Sequence, residues 1–185
     1  MAELAHAGWR RLLAANPPAW VPRHCRCVAC LAVALADAAE RNGLAVDRER
    51  VAAGALLHDI GRSVTQDVRH AGLGAELLRT EEWDPAVVLI VERHTGGGID
   101  ALEASRLGLP VKDYTPVSLE ERIVCHADNL YSGDKRMTLR QVEEKYRSKG
   151  LPEAWRKIRA LHDALAAELA VDPEQVAPVP LDLPA

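Results

Sequence analysis

Apolar residues in this chain recur at helical spacing, and nowhere do apolar and polar residues alternate far enough to make a half-buried strand. Start signals punctuate the pattern. Asp47 can cap a helix through His58 that Gly61 stops. Asp84-Pro85 sets a capping side chain ahead of a proline in the first helical position, opening a helix to Thr95-Gly96. Ser118-Leu-Glu-Glu121 and Thr138-Leu-Arg-Gln141 have capping-box spacing and open helices to about Tyr131 and to Gly150. Pro152 opens a last helix to about Ala170. Earlier helices are read at about Ala2–Ala15 and His24–Asn42, joined by a stiff connector of Pro17, Pro18 and Pro22, and another at about His70–Thr80. The expectation is an all-α bundle of roughly eight to ten helices. It forms one domain over residues 1–171, with a motif-bearing core at 22–131 and C-terminal helices at 138–170. The tail, 172–185, holds four of the eleven prolines and is expected to be extended or mobile.

Composition narrows the class of function. Of 185 residues, 48% are apolar and 27% charged, enough to bury a core, and the net charge of −4 gives no reason to expect a long nucleic acid as partner. No apolar run approaches the roughly 18 residues that span a bilayer. Met1–Arg11 lacks the pattern of a secretory signal, and four cysteines do not make a disulfide scaffold. A cytoplasmic protein with no membrane partner is expected. The acidic helix at Val142–Tyr146 and the long helix after Pro152 offer faces for a homodimer.

The histidines carry the chemistry. His58-Asp59 ends the apolar helix that contains Val51–Leu57, and a buried Asp needs a partner or a metal. For this dyad alone two readings stand equal: metal ligation, or a loop-capping Asp beside a His bonded to a backbone carbonyl. His24, His70, His94 and Asp128 also fall at expected helix ends, where a bundle can build a polar pocket. Imidazoles with carboxylates suit iron, manganese or zinc and disfavour calcium.

The order His24, His58-Asp59, Asp128 resembles the H…HD…D signature of the HD-domain superfamily of metal-dependent phosphohydrolases. Leu56-Leu-His-Asp-Ile-Gly-Arg62 is similar to its HDIG form. Arg69-His-Ala-Gly72 and Arg93-His-Thr-Gly96 resemble the two further histidine motifs of members with a dinuclear centre, among them hydrolases of dinucleoside polyphosphates. The resemblance covers about Pro22–Tyr131. It implies a helical fold and one divalent cation on His24, His58, Asp59 and Asp128. A second cation, on His70 and His94, would share Asp59, and a water between the two would be the nucleophile toward phosphorus. Iron or manganese is implied more than zinc or magnesium. Asp59 and Arg62 would be the catalytic residues, with Arg62 and Thr95 contacting a small phosphate ester, a nucleotide or dinucleotide. Some relatives use the same ligand order as a dinuclear iron oxygenase of small hydroxylated substrates, and a nucleotide-binding regulatory module is a third reading.

Other features carry two readings each. Arg62 is a phosphate fork or a solvated arginine, and Thr95 a substrate contact or a helix-end cap. Gly96-Gly-Gly98 is a hinge for a closing loop or a helix stop. Arg23, Arg69 and Arg93 are expected at the rim, while Lys135 and Arg136 lend positive charge to the site or stay solvated. Cys27-Val-Ala-Cys30 has zinc-knuckle spacing but lies inside an apolar helix, where cysteine packs as a small apolar residue. His126, His6 and His162 are expected away from the ligand set.

Overall fold

A computed structural model describes residues 3–184; the expected helix start at Ala2 lies outside them, as do Met1 and Ala185. The helices form where the side chains cap them. Among the described residues they are α1 (Glu3–Ala14), α2 (Trp20–Arg41), α3 (Arg48–Leu57), α4 (His70–Thr80), α5 (Pro85–Arg93), α6 (Ala101–Arg106), α7 (Leu119–Asn129), α8 (Leu139–Ser148) and α9 (Pro152–Leu169), with a 3-10 turn at Ile60–Ser63. The chain is all-α. One minor exception is a two-stranded antiparallel ribbon, β1 (Tyr131–Ser132) and β2 (Lys135–Arg136), too short to alternate visibly in sequence.

The caps mostly follow the sequence signals. Asp47 accepts from the N–H groups of Glu49 and Arg50, and Thr138 and Gln141 form the full reciprocal box. The Ser118 box is half made. Ser118 accepts from Glu121 N–H, but the Glu121 carboxylate turns to Val117 N–H and to Arg93, at 2.9 Å each. Asp84 accepts from Ala86 N–H at 2.8 Å and pairs with Arg50 at 2.9 Å. Burial works against the Asp84 carboxylate, yet the Ala86 N–H and Arg50 hold its pKa below the ordinary range. A lowered folded-state pKa stabilises above the unfolded value and stops doing so as pH falls through the folded one. Asp84→Ala is therefore expected to cost about 1 kcal/mol at pH 7 and less below about pH 4, as urea titrations at the two pH values would record.

Three expectations need correction. Pro22 is not a connector residue: α2 begins at Trp20, and Pro22 sits in its first turn, where the missing N–H is not needed. His24 therefore lies one turn inside α2 rather than opening it. Asp100 caps a helix, α6, that the sequence reading passed over. Gly96-Gly-Gly98, read as a hinge or a helix stop, is a turn packed against α9 at Gly97. A Cβ on Gly97 would lie 2.6 Å from the backbone of Lys157 and Ile158, so the turn seats directly on α9.

α2 is the axis of the bundle, buried on most of its faces from Val21 to Ala39 against α3, α7 and α9. Cys25 is buried, and Cys27 and Cys30 are partly buried on the same helix. A second apolar cluster, including Leu12, Leu57, Leu78, Val88 and Val91, joins α1, α3, α4 and α5. The tail is extended and docked. Val179 N–H bonds Cys30 O, Trp9 Nε1 donates to Pro184 O, and Val176, Val179, Leu181 and Leu183 pack on the core. Arg136 joins that strap rather than the ligand cluster, donating to the carbonyls of Pro173 and Glu174. Among the described residues no helix is long and apolar enough to cross a membrane.

Candidate metal centre

Four histidines reach one point from four elements: His24 from α2, His58 from the end of α3, His70 from the start of α4, and His94 just past α5. Asp59 and Asp128 join them. What holds His70 against the dyad is Gly61. A Cβ at Gly61 would lie 2.0 Å from the His70 carbonyl and 2.7 Å from Gly74 N, so α4 rests on bare backbone there. The glycine read as a helix stop is a contact surface.

Each ring is oriented the same way. His24 Nδ1 lies 2.8 Å from Gly133 O, His58 Nδ1 2.8 Å from Ala55 O, His70 Nδ1 2.7 Å from Asp67 O, and His94 Nδ1 2.7 Å from Val91 O. A carbonyl only accepts, so each Nδ1 carries the proton, and in the neutral ring Nε2 presents a lone pair to the centre. The two readings of the dyad are both realised: His58 bonds a backbone carbonyl with one nitrogen and faces the site with the other.

The Nε2 atoms then meet in pairs, His24 with His58 at 3.2 Å and His70 with His94 at 3.0 Å. Facing lone pairs repel unless a proton or a cation lies between them. Two nitrogens each about 2.1 Å from one cation, at right angles, are about 3.0 Å apart, so both pairs have the spacing of ligands on a shared ion. Asp59 spans them. Its Oδ2 is 3.8 Å from His24 Nε2 and 3.7 Å from His58 Nε2, while its Oδ1 is 3.1 Å from His70 Nε2 and 3.7 Å from His94 Nε2. Asp128 Oδ1 adds to the first pair, 2.9 Å from His24 and 3.6 Å from His58. The groupings His24–His58–Asp59, Asp59–His70–His94 and His58–His94–Asp128 each have the reach to hold an ion, so the six groups form one continuous cluster.

The electrostatics suit cations. Burial would raise the Asp59 carboxyl, but His58, His70 and His94 hold it well below the ordinary range; His24 and His58 do the same for Asp128. His94 is pushed down to about 3 by burial and by the imidazoles of His58 and His70, whereas at His58, against the effect of its burial, Cys25, Asp59 and Asp128 raise the pKa, so a cation would have to displace a proton from His58.

Above the cluster opens a pocket of about 470 Å³ whose lining includes Trp20, Arg62, Thr95, Asn129, Lys145 and Lys149. Arg62 lies under the Trp20 ring, its Cζ 5.5 Å from the ring centroid. Its Nε forms an ion pair with Asp59 Oδ1 at 2.8 Å without hydrogen-bond alignment, Nη2 is 3.3 Å from His70 Nε2, and Nη1 donates to Gln66 O. Thr95 Oγ1 is buried and has no hydrogen-bond partner. Arg69 pairs with Asp67, and Arg93 with Glu121. His126 is buried 3.1 Å from His162 Nδ1, tying α7 to α9, and His6 bonds the tail at Asp182 O. Asn129, Lys145, Tyr146 and Lys149 escaped the sequence reading. Asn129 follows Asp128 directly, and its Nδ2 donates to Gly96 O at 2.6 Å, while Tyr146 Oη donates to its Oδ1. The lysines reach the pocket only because α8 folds back over it, and their four-residue spacing was the one signal available.

Residues 21–133 match the HD domain family. A tRNA (cytidine(56)-2'-O)-methyltransferase of Picrophilus torridus is 49% identical over 145 residues, 78% of this chain and 41% of that protein. Its counterpart in Thermoplasma volcanium is 47% identical over 153 residues, 83% of this chain and 44% of that one. The chain spans less than half the length of these two relatives. An uncharacterized protein of Methanocaldococcus jannaschii is 50% identical over 126 residues, 68% of this chain and 75% of that protein. In fold, the chain is similar to the HD domain of L. monocytogenes phosphodiesterase PgpH solved with cyclic-di-AMP, with a TM-score of 0.51 and 21% identity, over 89% of this chain and 95% of that one.

Proposed function

The chain belongs to the HD domain family, and from that premise we propose that it hydrolyses a small phosphate ester, a nucleotide or dinucleotide, at a centre for two divalent cations. The observation that carries this reading is the division of Asp59, one carboxylate oxygen toward His24 and His58 and the other toward His70 and His94. His24, His58, Asp59 and Asp128 would hold one cation, and Asp59, His70 and His94 the other; the imidazole and carboxylate donors suit iron, manganese or zinc, and the family resemblance favours the first two. Two divalent cations would supply Lewis acidity to the phosphoryl oxygens and lower the pKa of a water from 15.7 toward about 7.

The chain's own groups do the rest. The four Nδ1–carbonyl bonds fix ring tautomer and direction before anything binds, so little is lost to reordering. Arg62 holds Asp59 in place through Nε, and Nη2, beside His70, can donate to a phosphoryl oxygen. Thr95 Oγ1, buried in the pocket wall without a partner, is a second donor. Trp20 screens Arg62 from water, which strengthens both charge contacts.

Elemental analysis of protein purified without chelator and under low oxygen tests the reading. About two metals per chain are expected, falling to about one in His70→Ala. A nucleotide and dinucleotide panel should then be cleaved, to inorganic phosphate from nucleotides and to mononucleotides or a linear dinucleotide from dinucleotides. One metal per chain, unchanged in His70→Ala, would reduce the centre to its first ligand set. Oxygen uptake without cleavage of any phosphate bond would replace hydrolysis by oxygenation, and transfer of a methyl group to tRNA by this chain would redirect the assignment to the activity named for its two longer relatives.

A further inference from the structure

Among the described residues, two cations in the pocket have no ion-pair partner. Lys145 is half-buried on α8, and Lys149, four residues later at the C-terminal cap of that helix, is exposed; both line the cavity of about 470 Å³ above the His/Asp cluster. Among the described residues no carboxylate lies within ion-pair distance of either, and the glutamates of their own helix are taken. Glu144 pairs with Arg140 at 3.0 Å, and Glu143 with Arg147 at 2.7 Å. Across the pocket, Glu103 is held by Lys157 at 2.7 Å. The acidic group felt by Lys145 is Asp128, which is already bonded to His24.

This arrangement is costly if nothing binds there. A half-buried ammonium loses hydration without a counter-charge, and burial does lower the Lys145 pKa. Like charges four residues apart on a helix repel by a few tenths of a kcal/mol. Lys112, by contrast, sits 2.6 Å from Glu92, as a lysine kept for stability would. Neither lysine is within ion-pair distance of Asp59 or Asp128 among the described residues, so their charge is not spent on the carboxylates of the cluster and faces the remaining space of the pocket.

We propose that Lys145 and Lys149 bind a second phosphoryl group, so that the substrate carries at least one phosphate beyond the one attacked, as a nucleoside diphosphate or a phosphate-linked dinucleotide does. This rests on the phosphohydrolase reading above. The surplus charge on α8 is the reason to place the extra phosphate here rather than a neutral group.

The test compares two probes that differ by one phosphate, ADP and AMP, on manganese-loaded protein. Wild type should favour ADP in kcat/KM. Lys145→Met should lower that preference about tenfold, mainly through KM, because a hydrogen bond to a charged group contributes about 1.5–3 kcal/mol. Lys145→Arg should restore it, and Lys149→Met, at an exposed position that does not threaten folding, should lower it less. Lys135→Met, on the exposed ribbon, is the control and should change nothing. Binding of α,β-methylene-ADP, measured by calorimetry on the same proteins, separates this inference from the reading it rests on. If neither probe is hydrolysed but the analogue binds about tenfold more weakly to Lys145→Met, the phosphate site stands and the hydrolase reading falls. If the analogue binds no tighter than AMP, or equally well to Lys145→Met and Lys149→Met, the proposal is overturned whatever the hydrolysis assay reports.

Discussion

Asp59→Asn is expected to leave the fold intact and take metal content from about two per chain to well under one, with a loss on the order of 10³-fold in phosphate-ester hydrolysis. The carboxylate is one of the few groups in reach of both imidazole pairs, with one oxygen turned to each. An amide keeps the shape, but it removes the negative charge and offers only one oxygen. The His70–His94 pair would then lose the carboxylate that faces it, and the His24–His58 pair would keep only Asp128 to offset a divalent cation in a buried site. Inductively coupled plasma analysis of the variant beside wild type, with circular dichroism as a check on folding, reads this directly. Two metals retained in Asp59→Asn would sink the bridging role.

Gly61→Ala is expected to be the most damaging conservative change in the chain, lowering Tm on the order of 10 °C. One methyl at this position meets the His70 carbonyl at 2.0 Å and Gly74 N at 2.7 Å, both of them backbone. No rotamer change relieves that contact, so the start of α4 must move away from the 3-10 turn. His70 leads α4 and Asp59 immediately precedes the turn, so the movement separates a ligand from the carboxylate it faces. Loss of stability and loss of the His70–His94 cation should therefore appear together. Thermal melts with and without manganese measure both, because a cation that binds only the folded form raises Tm. A variant with wild-type Tm and two metals would contradict the close approach.

Much of this was legible from the sequence. Thr138, Asp47 and Asp84 cap where their spacing says they should, because capping depends on residues only two or three apart. Pro22 misled because a proline does not announce whether it lies before a helix or within its first turn. Ser118 was half right: Glu121 had a stronger partner in Arg93, 28 residues away, which no local pattern contains. The candidate ligands were visible as residue types in a family order, but the direction of each imidazole was not. Direction is set by the carbonyls of Gly133, Ala55, Asp67 and Val91, and a sequence does not display carbonyls. Gly133 reaches His24 only because a two-residue ribbon turns it there. Lys145 and Lys149 were missed for a similar reason: their place depends on α8 folding back over a pocket built by residues far earlier in the chain.

The four carbonyls that hold the imidazoles bear on how this site tolerates mutation. In many metal centres the outer partners are side chains, which a single codon change can delete. Here they belong to the main chain, which every substitution leaves in place. Deep mutational scanning should therefore find a sharp contrast. The six inward-facing residues would be intolerant, whereas Asp67, which is exposed and supplies only its carbonyl to His70, would accept most replacements that keep the path of the backbone. Ala55 and Val91 would be limited by the space around them rather than by chemical identity, since both are fully buried. Selection on this centre would then act on helix placement as much as on its ligands, and sequences could diverge widely around it while the rings kept their aim.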